Sequence, residues 1–210
     1  MCDLSLSLIG VFSAVYDERP LTHFRTKAVQ ALLIYLVCQR EQTHSREGLM
    51  ALLWPELPLK SAQGNLRHAL YHLRQTIPEI SGASSETVPF LLADRQTIQV
   101  NPDGRYHLDL AEFETLTGSQ ASITDLETAV SLYRDDFLVD FYLSDSPDFE
   151  SWAQTRRTDL RRHLLDALSR LTDEQIKREN LEQAETYARR QLEIDNLREE
   201  AHRQLMVVLA

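Results

Sequence analysis

Residues 65–74 read Asn-Leu-Arg-His-Ala-Leu-Tyr-His-Leu-Arg, and they decide the fold of the first half of this chain. Around them, one apolar stripe recurs with the helical period: Ala62, Leu66, Ala69, Leu70, Leu73 and Ile77. The other side is polar, locally basic and without an acid until Glu79: Lys60, Ser61, Gly64, Arg67, His68, Tyr71 and Gln75. A helix held on one side and offering such groups on the other suits the major groove of DNA. An ordinary amphipathic surface helix is the alternative that this stretch alone leaves open.

The residues before this helix predict two strands and two further helices. Leu4–Leu8 and Val11–Val15 alternate in the period of half-buried strands, and residues 17–20 are typical of a turn. Residues 28–40 have the apolar spacing of a core helix. A second, short helix is predicted to run through Leu53. Ser45 suits its N-cap position, because a serine side chain can accept a hydrogen bond from the first turn.

The residues after the helix predict a loop and a hairpin. Residues 81–89 are rich in Ser, Gly and Pro and predict a loop. Residues 90–93, 94–96 and 97–100 then read as strand, turn and strand. This hairpin is the wing expected of a winged helix, and Arg95 at its tip is placed to reach a phosphate or the minor groove.

This element order resembles the OmpR-type winged-helix DNA-binding domains. Five motifs narrow the resemblance: Phe-Arg-Thr-Lys-Ala at 24–28, Leu-Leu-Trp-Pro at 52–55, Asn-Leu-Arg-His-Ala-Leu at 65–70, Asp-Ser-Pro-Asp-Phe-Glu-Ser-Trp at 145–152 and Leu-Arg-Glu-Glu-Ala-His at 197–202. In this order they resemble the bacterial antibiotic-regulatory type of activator, which joins a winged helix to a bacterial transcriptional activation domain. The resemblance covers nearly the whole chain.

The resemblance implies a transcription factor that binds double-stranded promoter DNA and contacts RNA polymerase. Because the two cysteines give no disulfide framework, a reducing cytoplasm is the default location. The expected fold is mainly α with small β elements: a winged helix-turn-helix over 1–102, then an all-α, tetratricopeptide-like domain over 103–210. The candidate DNA-binding residues are Arg25, Lys27, Lys60, Ser61, Asn65, Arg67, His68, Tyr71, Arg74 and Arg95. The chain departs from the family pattern at Gly64, which replaces a better helix former in the recognition helix. A glycine within a helix costs about 1 kcal/mol relative to alanine.

Charge divides the chain into two unequal halves. Residues 1–100 carry nine basic and nine acidic residues, so the whole net charge of −10 lies in residues 101–210. An acidic chain is a poor non-specific DNA binder, because phosphate neutralisation supplies most of that affinity. We therefore expect weak DNA binding by a monomer, assisted by a second subunit or by polymerase.

The acidic half is predicted to be helical. Helices are expected over 123–138, 148–178, 181–194 and 197–209, with an interruption at Asn180. Residues 179–195 resemble one tetratricopeptide-type unit, a unit that buries its apolar face only by stacking. Because the last helix ends on Val207, Val208 and Leu209, we expect a continuation beyond residue 210 or a capping partner such as a second copy in a homodimer.

Other functional classes find little support in the sequence. His68 and His72 have metal-binding spacing without an evident third ligand, and the neighbouring Asp135 and Asp136 fit a solvated helix end better than a catalytic pair. No catalytic residue, metal or cofactor is predicted, and no apolar run predicts a membrane span or a signal peptide. Cys2 and Cys38 have no metal or disulfide spacing, and Cys38 is expected to be a small buried hydrophobe. A scaffold that binds only protein, with a degenerate winged helix, and the front part of a larger signal-responsive regulator are the alternatives.

Overall fold

The computed structural model describes residues 4–83 and 86–210 and divides the chain into two compact units. The first unit contains the residues up to Leu108 together with Leu138–Gln154. The second contains Asp109–Phe137 and Thr155–Ala210. The described residues form eight helices and nine short strands, so the fold is mainly α with small β elements. The predicted domain boundary at residue 102 stays a prediction.

A four-stranded sheet opens the first unit, in the order β3-β2-β1-β9. Strand β1 (Leu4–Ser7) pairs antiparallel with β2 (Ser13–Tyr16), which pairs with β3 (Arg19–Pro20). Strand β9 (His107–Leu108) lies parallel to β1. The second strand thus starts at Ser13 and not at Val11, because the chain first bends at Gly10, whose φ is 94°. The predicted turn over 17–20 narrows to Asp17 and Glu18, both in the left-handed region.

Three helices pack in the first unit: α1 (Lys27–Cys38), α2 (Arg46–Leu53) and α3 (Leu59–Thr76). The Thr26 side chain caps α1 by accepting a hydrogen bond from the amide of Val29. Ser45 caps α2 in the same way, as its sequence position predicts. The predicted apolar stripe of α3 is buried throughout. Cys38 is half-buried rather than buried, because it is the last residue of α1.

Two short hairpins follow α3. Strand β5 (Glu79–Ser81) pairs antiparallel with β6 (Thr87–Pro89), so the prediction of a simple loop over 81–89 is wrong. The β-branched Thr87 and Val88 favour an extended backbone, but the Ser and Gly residues before them favour a loop, and for that reason the whole stretch was predicted as a loop. Ser84 and Ser85 of that loop, like Cys2, lie outside the described residues.

The second hairpin lies where the sequence predicts the wing. Strand β7 (Leu91–Ala93) pairs antiparallel with β8 (Thr97–Val100), and β8 also pairs with β4 (His44–Ser45) just before α2. We call residues 94–96, which join β7 to β8, the wing tip.

The segment 138–154, which we call the strap, packs within the first unit although the sequence places it in the second predicted domain. The amide of Leu138 donates to the carbonyl of Leu8, at 3.0 Å. The buried Ser146 hydroxyl donates to the carbonyl of Leu53 at the end of α2, at 2.7 Å. Phe149 is fully buried.

Five helices build the second unit: α4 (Asp109–Leu116), α5 (Ile123–Leu132), part of α6 (Pro147–Lys177), α7 (Leu181–Ile194) and α8 (Glu199–Leu209). Helix α4 lies outside the predicted helices. Helix α5 ends at Leu132 and not near Leu138, and Leu138 itself has a left-handed backbone with a φ of 53°. The predicted break at Asn180 is observed between α6 and α7.

Candidate nucleic-acid interface

The outward face of α3 is centred on Gly64. Successive residues of an α-helix are rotated by about 100°, and this places Gly64 opposite the fully buried Leu73. By the same rotation, Tyr71 and Gln75 lie within about 20° of Gly64. No residue of α3 is acidic. The outward face therefore offers donors and neutral groups and no carboxylate that would repel a phosphate.

Most of the predicted DNA-binding residues lie on this face and are exposed to solvent: Lys60, Ser61, Asn65, Arg67, His68, Tyr71 and Arg74. The Tyr71 side chain, for example, is 58% exposed. Across residues 4–83 and 86–210, no side-chain hydrogen bond or ion pair engages Lys60, Arg67 or Arg74. These side chains keep the conformational freedom to reach a ligand.

One side of α3 borders a groove of about 1120 Å³, which we call the strap groove. Its walls come from the start of α1, from α3 and from the strap, and its polar lining includes Arg25, Lys27, Glu56, Asn65, His68, His72, Tyr142 and Asp145. It brings four predicted residues together: Arg25, Lys27, Asn65 and His68. Because Glu56 and Asp145 share the lining, the groove is less electropositive than those four residues suggest.

Arg25 and Lys27, predicted to contact the DNA backbone, already have neighbours inside the first unit. Arg25 Nη1 lies 3.2 Å from Nε2 of His72 on α3. Lys27 Nζ donates to the carbonyl of Tyr142 at 3.3 Å and lies 6.0 Å from the centre of the Phe141 ring. A phosphate would have to compete with these contacts, although both side chains are exposed.

The other side of α3 borders a groove of about 540 Å³, which we call the wing groove. It brings Arg67 of α3 and Arg95 of the wing tip together. Arg46, Gln63 and Gln96 also line it, and Glu47 is the acid among the lining residues. Three guanidinium groups around one groove form a donor set that matches phosphate oxygens.

The wing tip has a defined conformation because Asp94 closes it. Its Oδ1 accepts from the amides of Gln96 and Thr97, each at 2.7 Å. The bonds from Thr97 and then Gln96 hold the pKa of Asp94 below its ordinary value of 3.8. Arg46 Nε donates to the Asp94 carbonyl at 2.9 Å and so ties the start of α2 to the wing. Arg95 is thus presented on an ordered turn.

The sequence reasoning missed two residues of the wing groove, Arg46 and Gln63. The position of Gln63 beside Arg67 was predictable from the sequence, because Gln63 lies four residues before Arg67 and so one turn away on the same side of α3. Arg46 follows the predicted N-cap Ser45, but only the pairing of β4 with β8 brings it to the wing. Arg74 was predicted with the others, yet it lines a separate hollow beside Glu79 and Asp94.

The two histidines of α3 do not gather a metal-ligand set. Within the described parts of the chain, no group of three or more His, Cys, Asp or Glu side chains has an arrangement that could hold a metal ion. His72 instead lies beside Arg25 and packs edge-on against the Tyr71 ring, with 5.5 Å between ring centres. In the same described residues, no helix is both long and apolar enough to cross a membrane.

Comparison with known proteins adds two similarities. The family described as bacterial transcriptional activator domain matches residues 108–210. Among solved structures, Mycobacterium tuberculosis EmbR in complex with a low-affinity phosphopeptide superposes with a TM-score of 0.77 at 19% sequence identity. That match covers 99% of this chain and 55% of the EmbR chain, so this chain spans about half the length of EmbR. At this identity the likeness establishes a shared fold. No curated protein matches the sequence.

Proposed function

We propose that this chain is a cytoplasmic transcriptional regulator that binds promoter DNA through a winged helix in residues 1–102. The match of residues 108–210 to the family described as bacterial transcriptional activator domain supports the regulatory role. In this proposal α3 is the recognition helix and the β7–β8 hairpin is the wing. The outward face of α3 carries the proposal: it is exposed, without acids, and flanked by a groove that Arg67 and Arg95 share.

The proposed roles follow from geometry. Arg67 reads a base edge, or clamps a phosphate beside it, because it lies on the outward face and an arginine fork matches guanine. Lys60, Ser61, Asn65, His68 and Tyr71 contribute weaker contacts from the same face. Arg25, Lys27 and Arg95 neutralise phosphates on the two flanks of α3, and Arg74 reaches the backbone beyond the wing.

A direct test is a mobility shift with the full chain. Duplexes are first selected by the protein from a random-sequence pool, and binding is then measured against an excess of bulk competitor DNA. We expect a preferred duplex whose affinity falls with added salt, because phosphate contacts release counterions. Equal affinity for selected and random duplexes would contradict a promoter-binding role and would favour the protein-only scaffold.

We also propose that the helical domain binds a protein partner, either RNA polymerase or a second copy of the chain. The last helix supports this role, because α8 exposes Met206, Val207 and Leu209 by 66%, 53% and 60%. Exposed apolar side chains grouped on one surface favour protein contacts. The domain's acidity opposes a second DNA-binding surface.

The protein-binding proposal is tested by Val207→Glu in transcription reconstituted with purified polymerase, and by sedimentation. Arg189→Glu on α7 is the matched control, since Arg189 has an exposed ion pair of little energetic value and does not lie on α8. We expect Val207→Glu alone to lose activation or self-association while promoter binding persists. Unchanged activation and association by Val207→Glu would contradict a partner surface on α8.

A further inference from the structure

Gly64 lies in the interior of α3 without a structural reason inside the first unit. A Cβ built on Gly64 would meet no heavy atom within 4 Å among the described residues. Other glycines of the chain show what such reasons look like. A Cβ on Gly82 would lie 2.7 Å from the carbonyl oxygen of Glu86, and one on Gly104 would collide with the side chain of Ile80.

Backbone conformation does not require glycine at this position either. Gly64 is helical, whereas Gly10 has the φ of 94° that L side chains rarely adopt. Alanine would therefore fit the free protein and would favour the helix, because glycine is a poor helix former. A residue that weakens its own helix and is explained by nothing within the first unit points to something outside it.

The position of Gly64 on α3 indicates which external surface the helix backbone approaches. It lies at the centre of the outward face, directly opposite the buried side of α3. Lys60, Arg67 and His68 flank it and are exposed. Gly64 thus leaves the helix backbone uncovered at one point of the outward face, with long side chains around that point.

We propose that Gly64 is the point of closest approach between α3 and the edge of a base pair in the major groove. A methyl group at this position would add about 1.5 Å along the direction of approach. It would push the helix outward and lengthen every contact that the flanking side chains make. A base edge fits better than a phosphate, because the centre of a helix in the major groove faces the bases and its flanks face the two backbones. This inference rests on the proposed DNA-binding function.

The test compares Gly64→Ala and Gly64→Leu with the parent, all as the full chain, on duplexes selected by the parent protein. We expect Gly64→Ala to raise the midpoint of thermal unfolding by about 2–4 °C. We expect it to weaken binding to the selected duplex at least tenfold, and Gly64→Leu to weaken it further. Binding to random duplex should change little, because the phosphate contacts of the flanks suffice for it.

Thr186→Ala is the matched control, since it also replaces a poor helix former with alanine at an exposed position, but on α7. It should leave DNA binding unchanged. A more stable Gly64→Ala variant that binds the selected duplex as tightly as the parent overturns the inference and leaves the proposed function intact. A less stable Gly64→Ala variant overturns it as well, because Gly64 would then serve the fold. A parent that selects no duplex overturns the proposed function, and this inference with it.

Discussion

Polar side chains on the outward face of α3 are exposed to solvent, whereas those between the helices of the second unit are largely buried and hydrogen-bonded to one another. On α3, Lys60 and Arg67 project into solvent and bond to no described residue of the chain. Between α6, α7 and α8, in contrast, five polar residues bond to one another, and three of them are at most 1% exposed. We call this group, which consists of Ser169, Thr172, Asp173, Gln191 and Gln204, the amide cluster.

The contacts of the amide cluster are dense. Gln191 Nε2 donates to the Thr172 hydroxyl at 3.1 Å and to Gln204 Oε1 at 2.9 Å. Gln204 Nε2 lies 2.8 Å from a carboxylate oxygen of Asp173. Buried polar groups are costly unless they are bonded, so these bonds explain the positions of most side-chain polar atoms in the cluster. One buried acceptor, Gln191 Oε1, has no hydrogen-bond partner among the described residues. The fold gives no such explanation for the outward face of α3, and for that reason the outward face is the better candidate for a functional surface.

The largest expected effect is on stability. Gln204→Ala removes the acceptor of Gln191 and the donor to Asp173, and it leaves a cavity between three helices. We expect a loss of roughly 3 kcal/mol in the free energy of unfolding, measured by urea denaturation. Folded protein should bind its selected duplex as the parent does. The control Glu193→Ala, exposed on α7, should stay within about 0.5 kcal/mol. A loss below about 1 kcal/mol for Gln204→Ala would mean that the cluster is not a stabilising core.

Arg67→Ala should reverse that pattern, with a loss of affinity and an unchanged fold. A base-reading arginine is worth on the order of 1–3 kcal/mol of binding free energy. Arg67→Lys keeps the charge but loses the guanidinium fork, so it should recover phosphate binding and not sequence preference. Competition assays with duplexes mutated at single positions give the readout. A folded Arg67→Ala protein with parental affinity and selectivity would remove Arg67 from the interface.

The two regions also differ in how much of their structure the sequence could predict. The stripe of α3 and the wing hairpin were predictable, because their signals are local periodicities and turn residues. The amide cluster was not, since Gln191 and Gln204 become neighbours only when α7 and α8 fold back on each other. The similarity to the activator family was visible in short motifs, and the match over residues 108–210 confirms it.

The strap shows the same limit in the first unit. The neighbours of its aromatic side chains are far away in sequence: Trp152 packs edge-on against Tyr35 of α1, with 5.0 Å between ring centres. The strap groove could not be predicted, because its walls meet only through such long-range contacts. The wing groove was half predictable, through Arg67 and Arg95.

Lys27 is intermediate between the exposed residues of α3 and the hydrogen-bonded residues of the amide cluster, because it is exposed and yet bonded within the first unit. Lys27→Gln should weaken specific and non-specific DNA binding together and flatten the dependence of log affinity on log salt by roughly one unit. The net effect should be smaller than that of Arg67→Ala, since Lys27 must leave the Tyr142 carbonyl to reach a phosphate. Titrations at several salt concentrations measure the slope. An affinity loss confined to one duplex sequence would mean base reading and would contradict the backbone role.

The smallest expected effect concerns a pair that is neither buried nor fully exposed, Asp136 and Arg161 on the second unit. Arg161 Nε donates to Asp136 Oδ1 at 2.7 Å, and this bond is the main reason that the pKa of Asp136 lies below its ordinary value of 3.8. The Tyr133 hydroxyl, 3.3 Å from Oδ1, adds to the shift. A carboxyl group whose folded pKa is depressed stabilises the fold above its unfolded pKa, and that stability is lost as pH falls through the folded pKa.

Arg161→Gln should therefore lower stability at pH 7, by less than about 1 kcal/mol because Arg161 is half exposed. The difference from the parent should shrink as pH falls below 3.8 and should vanish once Asp136 is protonated in both states. Denaturation of both proteins between pH 7 and pH 2.5 gives the comparison. Arg162→Gln is the control, because its pair with Asp159 is more exposed, and its difference from the parent should be near zero throughout. A difference between Arg161→Gln and the parent that persists unchanged at the lowest pH would show that Arg161 acts through packing and not through the Asp136 carboxylate. The pair would then belong with the amide cluster, as part of what the fold itself requires.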